Sequence, residues 1–474
     1  MKWLVMALLL FVLQIATVIL IEYRRPSKAI AWLVILFVLP LVGFLFYYFV
    51  AKEYSHRRFA RHEGCHHLEL LKEKLIHRCR QRLRETSFEQ INGEENPLHD
   101  MLKTIPNDPI TACNETTVFA EGAEAFEAML KAMAEAKNHI HIEFYIVRDD
   151  DLGSRLQHLM IEKAKQGVEV RILYDGIGSH RLGKDYLRRL RNAGVETGCF
   201  LPPLRSFFDQ RINYRNHRKI VVVDGKVGFF GGLNVGDEYI GNDSKIGYWR
   251  DTHFRIMGDA VCWLQYTFVA DWHFVKGRLL TEDEFFPMQA NHGEEWVQVL
   301  KCGPDEPRNR IPELLFTCMV SAKKRIYVES PYLIPDPGML MALKTAAIHG
   351  VDVRIIIPTV PDTMIVYCAT LSYAQELLNA GVRIYRYKKG FIHAKVFVAD
   401  HLAFSGSTNM DMRSFYGQFE INAVFFDGKV VNRLVEDFYT DLKESKEMSL
   451  SDFEKRPTMQ KLKEAFARLL SPLF

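Results

Sequence analysis

The sequence predicts an α/β protein made of two copies of one domain, preceded by a membrane hairpin of two helices. Three observations lead to this prediction. The motif H-x-K-x-x-x-x-D occurs twice, the strands and helices around it recur in the same order, and two apolar runs stand near the N-terminus. Elements repeated in order are the signature of a duplicated structural unit. We therefore expect a single active site that is assembled from two halves.

Each apolar run is long enough to cross a bilayer. Trp3–Ile21 would span about 29 Å as a helix, and Ala29–Val50 is as long and ends in an aromatic cluster. The short basic link between them predicts a hairpin over residues 1–52. We expect a two-helix membrane anchor with the link outside and the body in the cytoplasm. A re-entrant hairpin and a cleaved signal peptide are the alternatives.

The positive charge is concentrated beside the membrane segment. Residues 1–51 carry a net charge of +3 and residues 52–85 carry +5. Because the whole chain carries +3, residues 86–474 carry −5. A nucleic-acid enzyme usually carries its positive charge on the catalytic body. The distribution therefore favours an anionic lipid surface as partner and argues against nucleic acid.

Residues 53–110 are predicted to form a basic helix and a linker. Leu68, Leu71 and Leu75 recur at helical spacing within 66–85, and the linker 86–110 is rich in turn residues. The helix either lies on the bilayer or packs one face on the body. The nearby His and Cys residues lack a convincing metal-ligand spacing, and the eight scattered cysteines predict unpaired thiols.

The body divides into predicted domains 111–290 and 291–474. In each, short β-branched runs alternate with helical stretches, which is typical of an α/β fold. The strand Ile140–Ile146 corresponds to Arg325–Tyr332, which aligns Glu143 with Glu329. The tetrapeptide Asn-Ala-Gly-Val occurs at both 192–195 and 379–382. The recurrence predicts two domains of one design.

The candidate catalytic set takes three residues from each copy of the motif: His217, Lys219, Asp224, His393, Lys395 and Asp400. Alternate side chains of a strand share a face, so each His and Lys should face the substrate while each Asp holds the strand or turn behind. Neutral imidazole can attack phosphorus, and a second, protonated imidazole can donate a proton to the departing alkoxide. The lysines supply charge for the phosphate oxygens, so this chemistry needs no metal and no cofactor.

Further candidates flank both copies of the motif. The predicted substrate-binding groups are amides and close-approach backbone positions: Asn234, Asn409, Gly231, Gly232, Gly406 and Ser407. Tight turns after a strand explain the glycines equally well. Asp251 and Glu420 stand in comparable contexts downstream. Either could fix a histidine tautomer through Nδ1 or be an ordinary strand-end carboxylate.

Several segments are similar to those of one known family: RINYRNHRKIVVVDG (211–225), GGLNVGDEYIG (231–241), YWRD (248–251), ESPYLIP (329–335), GFIHAK (390–395) and GSTNMDMRSF (406–415). With the hairpin and the ending LLSPLF (469–474), they resemble the bacterial cardiolipin synthases of the phospholipase D superfamily over essentially the whole chain. One departure is that the second copy has one residue fewer between Asp400 and Gly406.

The resemblance implies two phospholipase D-like α/β/α sandwich domains related by a pseudo-twofold axis, with both motifs in one site. It implies transphosphatidylation at a bacterial cell membrane, in which two phosphatidylglycerols become cardiolipin and glycerol. His217 is the implied nucleophile, and His393 the implied acid and base. A hydrolytic phospholipase or nuclease, another alcohol acceptor, and a membrane scaffold with an inactive site remain alternatives.

Overall fold

The structure is a computed structural model, and it describes residues 2–23, 26–51, 66–84, 108–209, 211–244, 247–304, 310–426 and 428–473. Most of the predicted linker 86–110 lies outside these ranges, as do His62 and Cys65. The seven cysteines within them are all unpaired thiols, as the sequence predicts for these positions.

The first apolar run forms helix α1 (Lys2–Ile21), the one helix in the described part of the chain that is long and apolar enough to cross a membrane. The second run was predicted as one span but is divided. It forms α2 (Pro26–Val38), α3 (Pro40–Phe46) and a π-helical turn (Tyr47–Ala51). The continuous helix ends at Val38 because the ring of Pro40 clashes with the preceding turn and lacks an N–H.

The basic segment forms helix α4 (His66–Arg84), and it packs on the body. Leu68, Leu71, Leu75 and Cys79 are buried against the central core, and Arg78 donates to the carbonyl oxygen of Phe286 at 3.1 Å. Of the two predicted positions for this helix, the structure shows the packed one.

The elements of the first half of the body, in chain order, are β1 (Thr111–Glu121), α5 (Gly122–Ala134), β2 (His139–Phe144), α6 (Asp151–Lys165), β3 (Glu169–Asp175), α7 (Lys184–Asn192), β4 (Glu196–Phe200), α8 (Pro203–Phe208), β5 (Arg215–Asn216), β6 (Ile220–Val223), β7 (Val227–Gly231), a 3₁₀ turn (Asp237–Ile240), β8 (Trp249–Met257), α9 (Val261–Lys276) and a 3₁₀ turn (Asp283–Phe285).

The elements of the second half are β9 (Glu295–Cys302), α10 (Arg310–Ser321), β10 (Arg325–Glu329), β11 (Leu333–Ile334), α11 (Pro337–Ile348), β12 (Asp352–Pro358), α12 (Met364–Asn379), β13 (Arg383–Tyr387), β14 (Phe391–Ile392), β15 (Val396–Ala399), β16 (Leu402–Gly406), β17 (Met410–Asp411), α13 (Met412–Tyr416), β18 (Gln418–Phe426), α14 (Lys429–Lys443), β19 (Ser445–Glu447), α15 (Leu450–Glu454), α16 (Thr458–Leu470) and a 3₁₀ turn (Ser471–Leu473).

The two halves share one strand order, which confirms the predicted duplication. The first sheet runs β4-β3-β2-β6-β7-β8-β1. The second runs β13-β12-β10-β15-β16-β18-β9, with β19 added beside β13. The equivalent end strands β1 and β9 pair antiparallel, which joins the sheets about an approximate twofold axis.

The helices form layers on both sides of the sheets. Helices α5–α7 cover the outer face of the first sheet, and α10–α12 cover that of the second. The inner faces share one core, in which Phe254 of β8 contacts Phe425 of β18, with ring centroids 5.1 Å apart. Burial of these β-branched and aromatic strands supplies the apolar stabilisation of the body. This shared core fixes how the two motif-bearing sheets meet.

Candidate active site

Two short strands cross between the halves and place the motif histidines. Strand β5, directly before His217, pairs parallel with the start of β18, and β14, directly before His393, pairs with the start of β8. The backbone N–H of His217 donates to Phe419 O at 2.9 Å, and that of His393 donates to Arg250 O at 2.7 Å. Each histidine therefore lies against a strand of the other half. The residue that accepts its N–H hydrogen bond is followed in sequence by a carboxylate, Glu420 for His217 and Asp251 for His393.

The carboxylate beside His217 is Glu420. The Nδ1 atom of His217 lies 3.1 Å from both carboxylate oxygens and 3.1 Å from Ser407 O. Because a carbonyl oxygen only accepts hydrogen bonds, Nδ1 carries the proton. The lone pair of the imidazole is therefore on Nε2.

The carboxylate beside His393 is Asp251. The Nδ1 atom of His393 donates to Asp251 Oδ2 at 2.6 Å, which is a short, charge-assisted bond. Both carboxylates were candidates for fixing a histidine tautomer, and the structure places each at Nδ1 of the histidine from the other half. Sequence reasoning did not predict this exchange between halves, because it depends on how the sheets dock.

The two lysines lie against the histidines of their own motifs. Lys219 Nζ donates to His217 O and Lys395 Nζ to His393 O, each at 2.6 Å. Burial, Lys219 and then Lys395 lower the pKa of His217 well below its usual value. Burial, Lys395 and more weakly Lys219 lower the pKa of His393 to about 4. The positive charges of both lysines thus lower the pKa of each histidine, which indicates that the two motifs lie in one site.

The two orienting carboxylates differ in charge. Burial opposes ionisation of Asp251, but His393 and Lys395 outweigh it and lower the pKa of Asp251 to about 2. Burial raises the pKa of Glu420 to about 7, although Lys219 acts in the opposite direction. At neutral pH Asp251 is therefore ionised, while Glu420 is part protonated. His393 therefore has a fully charged carboxylate beside it, whereas the carboxylate beside His217 is only partly charged.

The motif aspartates lie behind the histidines, at the hairpins that follow β6 and β15. Asp224 accepts hydrogen bonds from the backbone N–H groups of residues 137–139. Asp400 accepts from those of residues 323–325 in the same way. Both have positive φ, 52° and 50°, which Asp tolerates better than most residues. Asp224 thus ties its motif strand to the start of β2, and Asp400 ties its own to the start of β10. Each aspartate holds the strand and turn behind the histidine and lysine, as predicted.

The position of Asp400 predicts a stability effect. Replacing Asp400 by Asn removes the charge that accepts three N–H donors, so we expect a loss of about 2 kcal/mol, read as a melting temperature several degrees lower. Activity per folded molecule should largely persist. Thermal denaturation and transferase assays in detergent check both parts. A folded Asp400→Asn protein without activity would instead make the aspartate part of the chemistry.

The predicted close-approach glycines allow the neighbouring strands β8 and β18 to pack closely against them. A Cβ on Gly232 would lie 2.0 Å from Asp251 Oδ1, and one on Gly406 would lie 2.2 Å from Ile421 O. Gly231 has φ of 149°, and a Cβ on it would lie 2.6 Å from Thr252 O. The structure therefore places these glycines against β8 and β18. Ser407 donates to Glu420 Oε2 at 2.5 Å.

The predicted substrate amides are buried beside the motifs. Asn234 Oδ1 accepts from the backbone N–H of Ile146 at 3.2 Å. Asn409 is 5 % exposed, and its Oδ1 is a buried atom without a hydrogen-bond partner. Asn409 lines a small cleft together with Lys395, which places it close to that motif lysine.

Sequence reasoning missed two aromatic walls of the site. Tyr145 stands edge-on to His217, with ring centroids 5.0 Å apart, and Trp249 lies 5.1 Å from His393. Each follows or begins a sheet strand, β2 and β8 respectively, at the edge where the motifs meet. A signal was present, since Tyr145 lies in the predicted strand Ile140–Ile146 and Trp249 precedes Arg250-Asp251, but neither residue recurs in the other copy.

A second missed feature is a pair of buried acids in each half. Glu143 accepts from the side-chain amide of Asn216, and burial followed by Asp271 raises its pKa. Glu329, its predicted counterpart, likewise has a pKa raised by burial and then by Asp441. Because Asn216 directly precedes His217, the hydrogen bond from Asn216 to Glu143 links this buried acid pair to the first motif.

Comparisons with known proteins match this architecture. The family model for "Cardiolipin synthase, PLD-like domain" matches residues 129–247 and 315–442, and that for "Phospholipase_D-nuclease N-terminal" matches 4–52. The chain is 42 % identical to a cardiolipin synthase of Alkalihalophilus pseudofirmus over 98 % of its length and 92 % of the relative. It is 43 % identical to one of Geobacillus sp. strain WCH70, with the same coverage.

A solved structure shares the fold. The phosphatidylserine synthase of Haemophilus influenzae Rd KW20 superposes with a TM-score of 0.62 at 15 % identity, covering 80 % of this chain and all of the other. At this identity the likeness concerns the fold alone. It agrees with the duplicated sheets described above.

Proposed function

Since the chain belongs to the cardiolipin synthases with duplicated phospholipase D-like domains, we propose that it joins two phosphatidylglycerols through a covalent phosphatidyl intermediate on His217. The chain is a phosphatidyltransferase by this membership. The observation that carries the proposal is the pair of histidines held at Nδ1 by Glu420 and Asp251, which leaves Nε2 of His217 for attack and places Nε2 of His393 3.0 Å from Lys395 Nζ.

The first step transfers the phosphatidyl group to the protein. His217 is neutral at physiological pH because burial and two lysines lower its pKa, so Nε2 can attack phosphorus. The N–P bond forms as the P–O bond to glycerol breaks, and His393 gives its proton to the leaving alkoxide. Ionised Asp251 stabilises the imidazolium form of His393. The phosphodiester anion offsets the lysine charges, so we expect the pKa of His393 to rise when substrate binds.

The second step reverses the first with a new alcohol. The glycerol hydroxyl of a second phosphatidylglycerol attacks phosphorus, His393 accepts its proton, and the bond to His217 Nε2 breaks. One phosphodiester replaces another, and the protein returns to its starting state without a nucleotide. Lys219 and Lys395 hold the phosphate oxygens throughout.

We further propose that the anchor crosses the membrane twice, with α2 and α3 as a second, kinked span. The apolar runs and the basic segment after residue 51 support this arrangement. The body would then lie in the cytoplasm, where phosphatidylglycerol headgroups of the inner leaflet reach the site.

The product distinguishes the transferase from a hydrolase. Detergent-solubilised protein given labelled phosphatidylglycerol should yield cardiolipin and free glycerol in equal amounts. His217→Ala protein serves as the inactive control. Phosphatidic acid without cardiolipin would show that water takes the phosphatidyl group and would overturn the proposal.

The alkaline side of the pH profile is a further expectation. Burial lowers the pKa of Lys395 to about 8, although Asp251 and Glu420 favour its charge. A lysine loses its charge as the pH rises through its pKa. We therefore expect kcat/KM, which reports the free enzyme, to fall above about pH 8. A profile that stays flat to pH 10 would show that charge on Lys395 is not required.

A further inference from the structure

Helix α16 turns its apolar side to the solvent. Met459, Leu462, Phe466 and Leu469 are between 46 and 64 % exposed. Their spacing of three or four residues puts them on one stripe. The opposite side of the helix buries Glu464. A surface helix of a soluble domain normally shows the reverse arrangement, with its apolar stripe on the core.

Polar contacts fix this orientation from the inner side. Glu464 pairs with Arg456 at 3.1 Å and accepts from Gln460 at 3.0 Å. Arg468 pairs with Glu376 of α12 at 2.6 Å. Turning the apolar stripe inward would break these three contacts. The outward stripe is therefore a built feature of the helix.

The stripe continues from the membrane segment. Helix α16 and the following turn contact α2, and Leu473 packs against the cluster of Val18, Trp32, Leu36 and Tyr47. Tyr373 of α12 hydrogen-bonds Ser471 at 2.8 Å, which ties this junction to the body. The C-terminal end of α16 thus lies where the hairpin meets the second half.

Two more exposed apolar side chains flank a residue that acts on the active site. At the start of α12, Val360 and Met364 are 64 and 65 % exposed. Between them Asp362 accepts from Tyr332 and acts on the charge of Lys395. By contrast, within the described ranges, helices α5–α7 expose no large apolar side chain. In the first half of the body, exposed apolar side chains stand instead on α8, at Leu204 and Phe208, where Phe207 stacks on Phe49 of the hairpin.

The charge on α16 suits an anionic surface. Lys461 and Lys463 are exposed, whereas the acidic residue of this helix, Glu464, is buried on the inner side. An apolar stripe with lysines beside it is the pattern of a helix that lies in the headgroup region of a bilayer.

We propose that α16 lies in the interface of the anionic leaflet beside the hairpin, with its stripe inserted among the acyl chains. This second attachment fixes the tilt of the body. The loop 359–363 then faces the headgroups, at the rim through which lipid enters the site. The proposal concerns the position of the body and does not depend on the reaction performed there.

Photo-crosslinking tests the position directly. The full chain carrying Phe466→p-benzoylphenylalanine is reconstituted in vesicles of phosphatidylethanolamine and phosphatidylglycerol and irradiated. The matched control carries the probe at His158, an exposed residue of α6 on the outer face of the first sheet. We expect at least about five-fold more lipid adduct at position 466. Combining the probe with His217→Ala should leave the adduct unchanged, which separates this test from the catalytic proposal.

Three results would overturn the proposal. They are equal lipid yields at the two positions, a crosslink from 466 to a second copy, and a crosslink from 466 to residues 85–107 of the same chain. A second measurement uses Leu462→Ser with Phe466→Ser against His158→Ser. We expect the ratio of turnover in vesicles to turnover in detergent to fall several-fold in the double variant alone. An unchanged ratio also contradicts the proposal.

Discussion

His217→Ala protein is expected to form neither the covalent lipid adduct nor cardiolipin. The imidazole of His217 is neutral and carries its proton on Nδ1, so its removal takes away the nucleophile rather than a supporting contact. Loss of a covalent nucleophile typically costs about 10⁴-fold or more in kcat. Turnover with labelled phosphatidylglycerol and protein-bound label after rapid quenching measure both parts.

An exposed histidine provides the control. His180 is exposed in a turn, and its Nδ1 lies 2.9 Å from the carbonyl oxygen of Ile177, so His180→Ala should retain both adduct and product. An adduct that persists in His217→Ala protein would assign the nucleophile to the other half of the site and reverse the roles of the two histidines.

Asp251→Asn is expected to have the second largest effect, a fall of roughly 10³-fold in kcat. Asp251 is ionised and lies 2.6 Å from His393 Nδ1, so in the proposed mechanism it both orients the ring and stabilises the imidazolium that protonates glycerol. An amide at this position removes the charge and can donate to Nδ1, which favours the wrong tautomer. The expected defect is in release of glycerol.

The matched variant is Glu420→Gln in the other half. Because the pKa of Glu420 is about 7, a neutral side chain there resembles a state that the site already populates. We expect a loss closer to 10-fold. A substrate with an activated leaving group should restore adduct formation in Asp251→Asn, because such a group needs little protonation. Equal losses in both variants, or no rescue, would contradict the asymmetry between the two carboxylates.

Much of the fold could be predicted because it depends on local pattern. The strand predicted at Ile140–Ile146 is β2 (His139–Phe144), and its predicted counterpart Arg325–Tyr332 contains β10, which begins at the same residue. The alternation of β-branched strands with helices can be recognised within each short segment of sequence. Because the domain is duplicated, the same pattern also occurs twice and each copy supports the prediction for the other. The second apolar run was harder, since composition alone does not show where Pro40 interrupts it.

The site was predictable in its residues but not in its connections. The motif histidines and both carboxylates could be selected from sequence, yet the pairing of His217 with Glu420 joins residues of different sheets. Such contacts depend on docking of the two halves through β5 and β14, which are only two residues long. The glycines illustrate the same limit, because Gly232 shows its reason only when Asp251 is beside it.

The exchanged carboxylates also explain why two halves are needed. Neither motif has its orienting acid on its own sheet, since Asp251 serves the second histidine and Glu420 the first. A single copy would hold a histidine and a lysine without the acid at Nδ1. Docking of the halves therefore completes both halves of the site at once.

Mapping of the trapped intermediate tests the central proposal most directly. Wild-type protein is mixed with phosphatidylglycerol labelled in its phosphate, quenched rapidly in alkali, and digested for peptide mapping. We predict label on the peptide that carries His217 and none on the peptide that carries His393. Label on His393, or cardiolipin formed in a single turnover without any protein-bound label, would contradict the proposed division of roles.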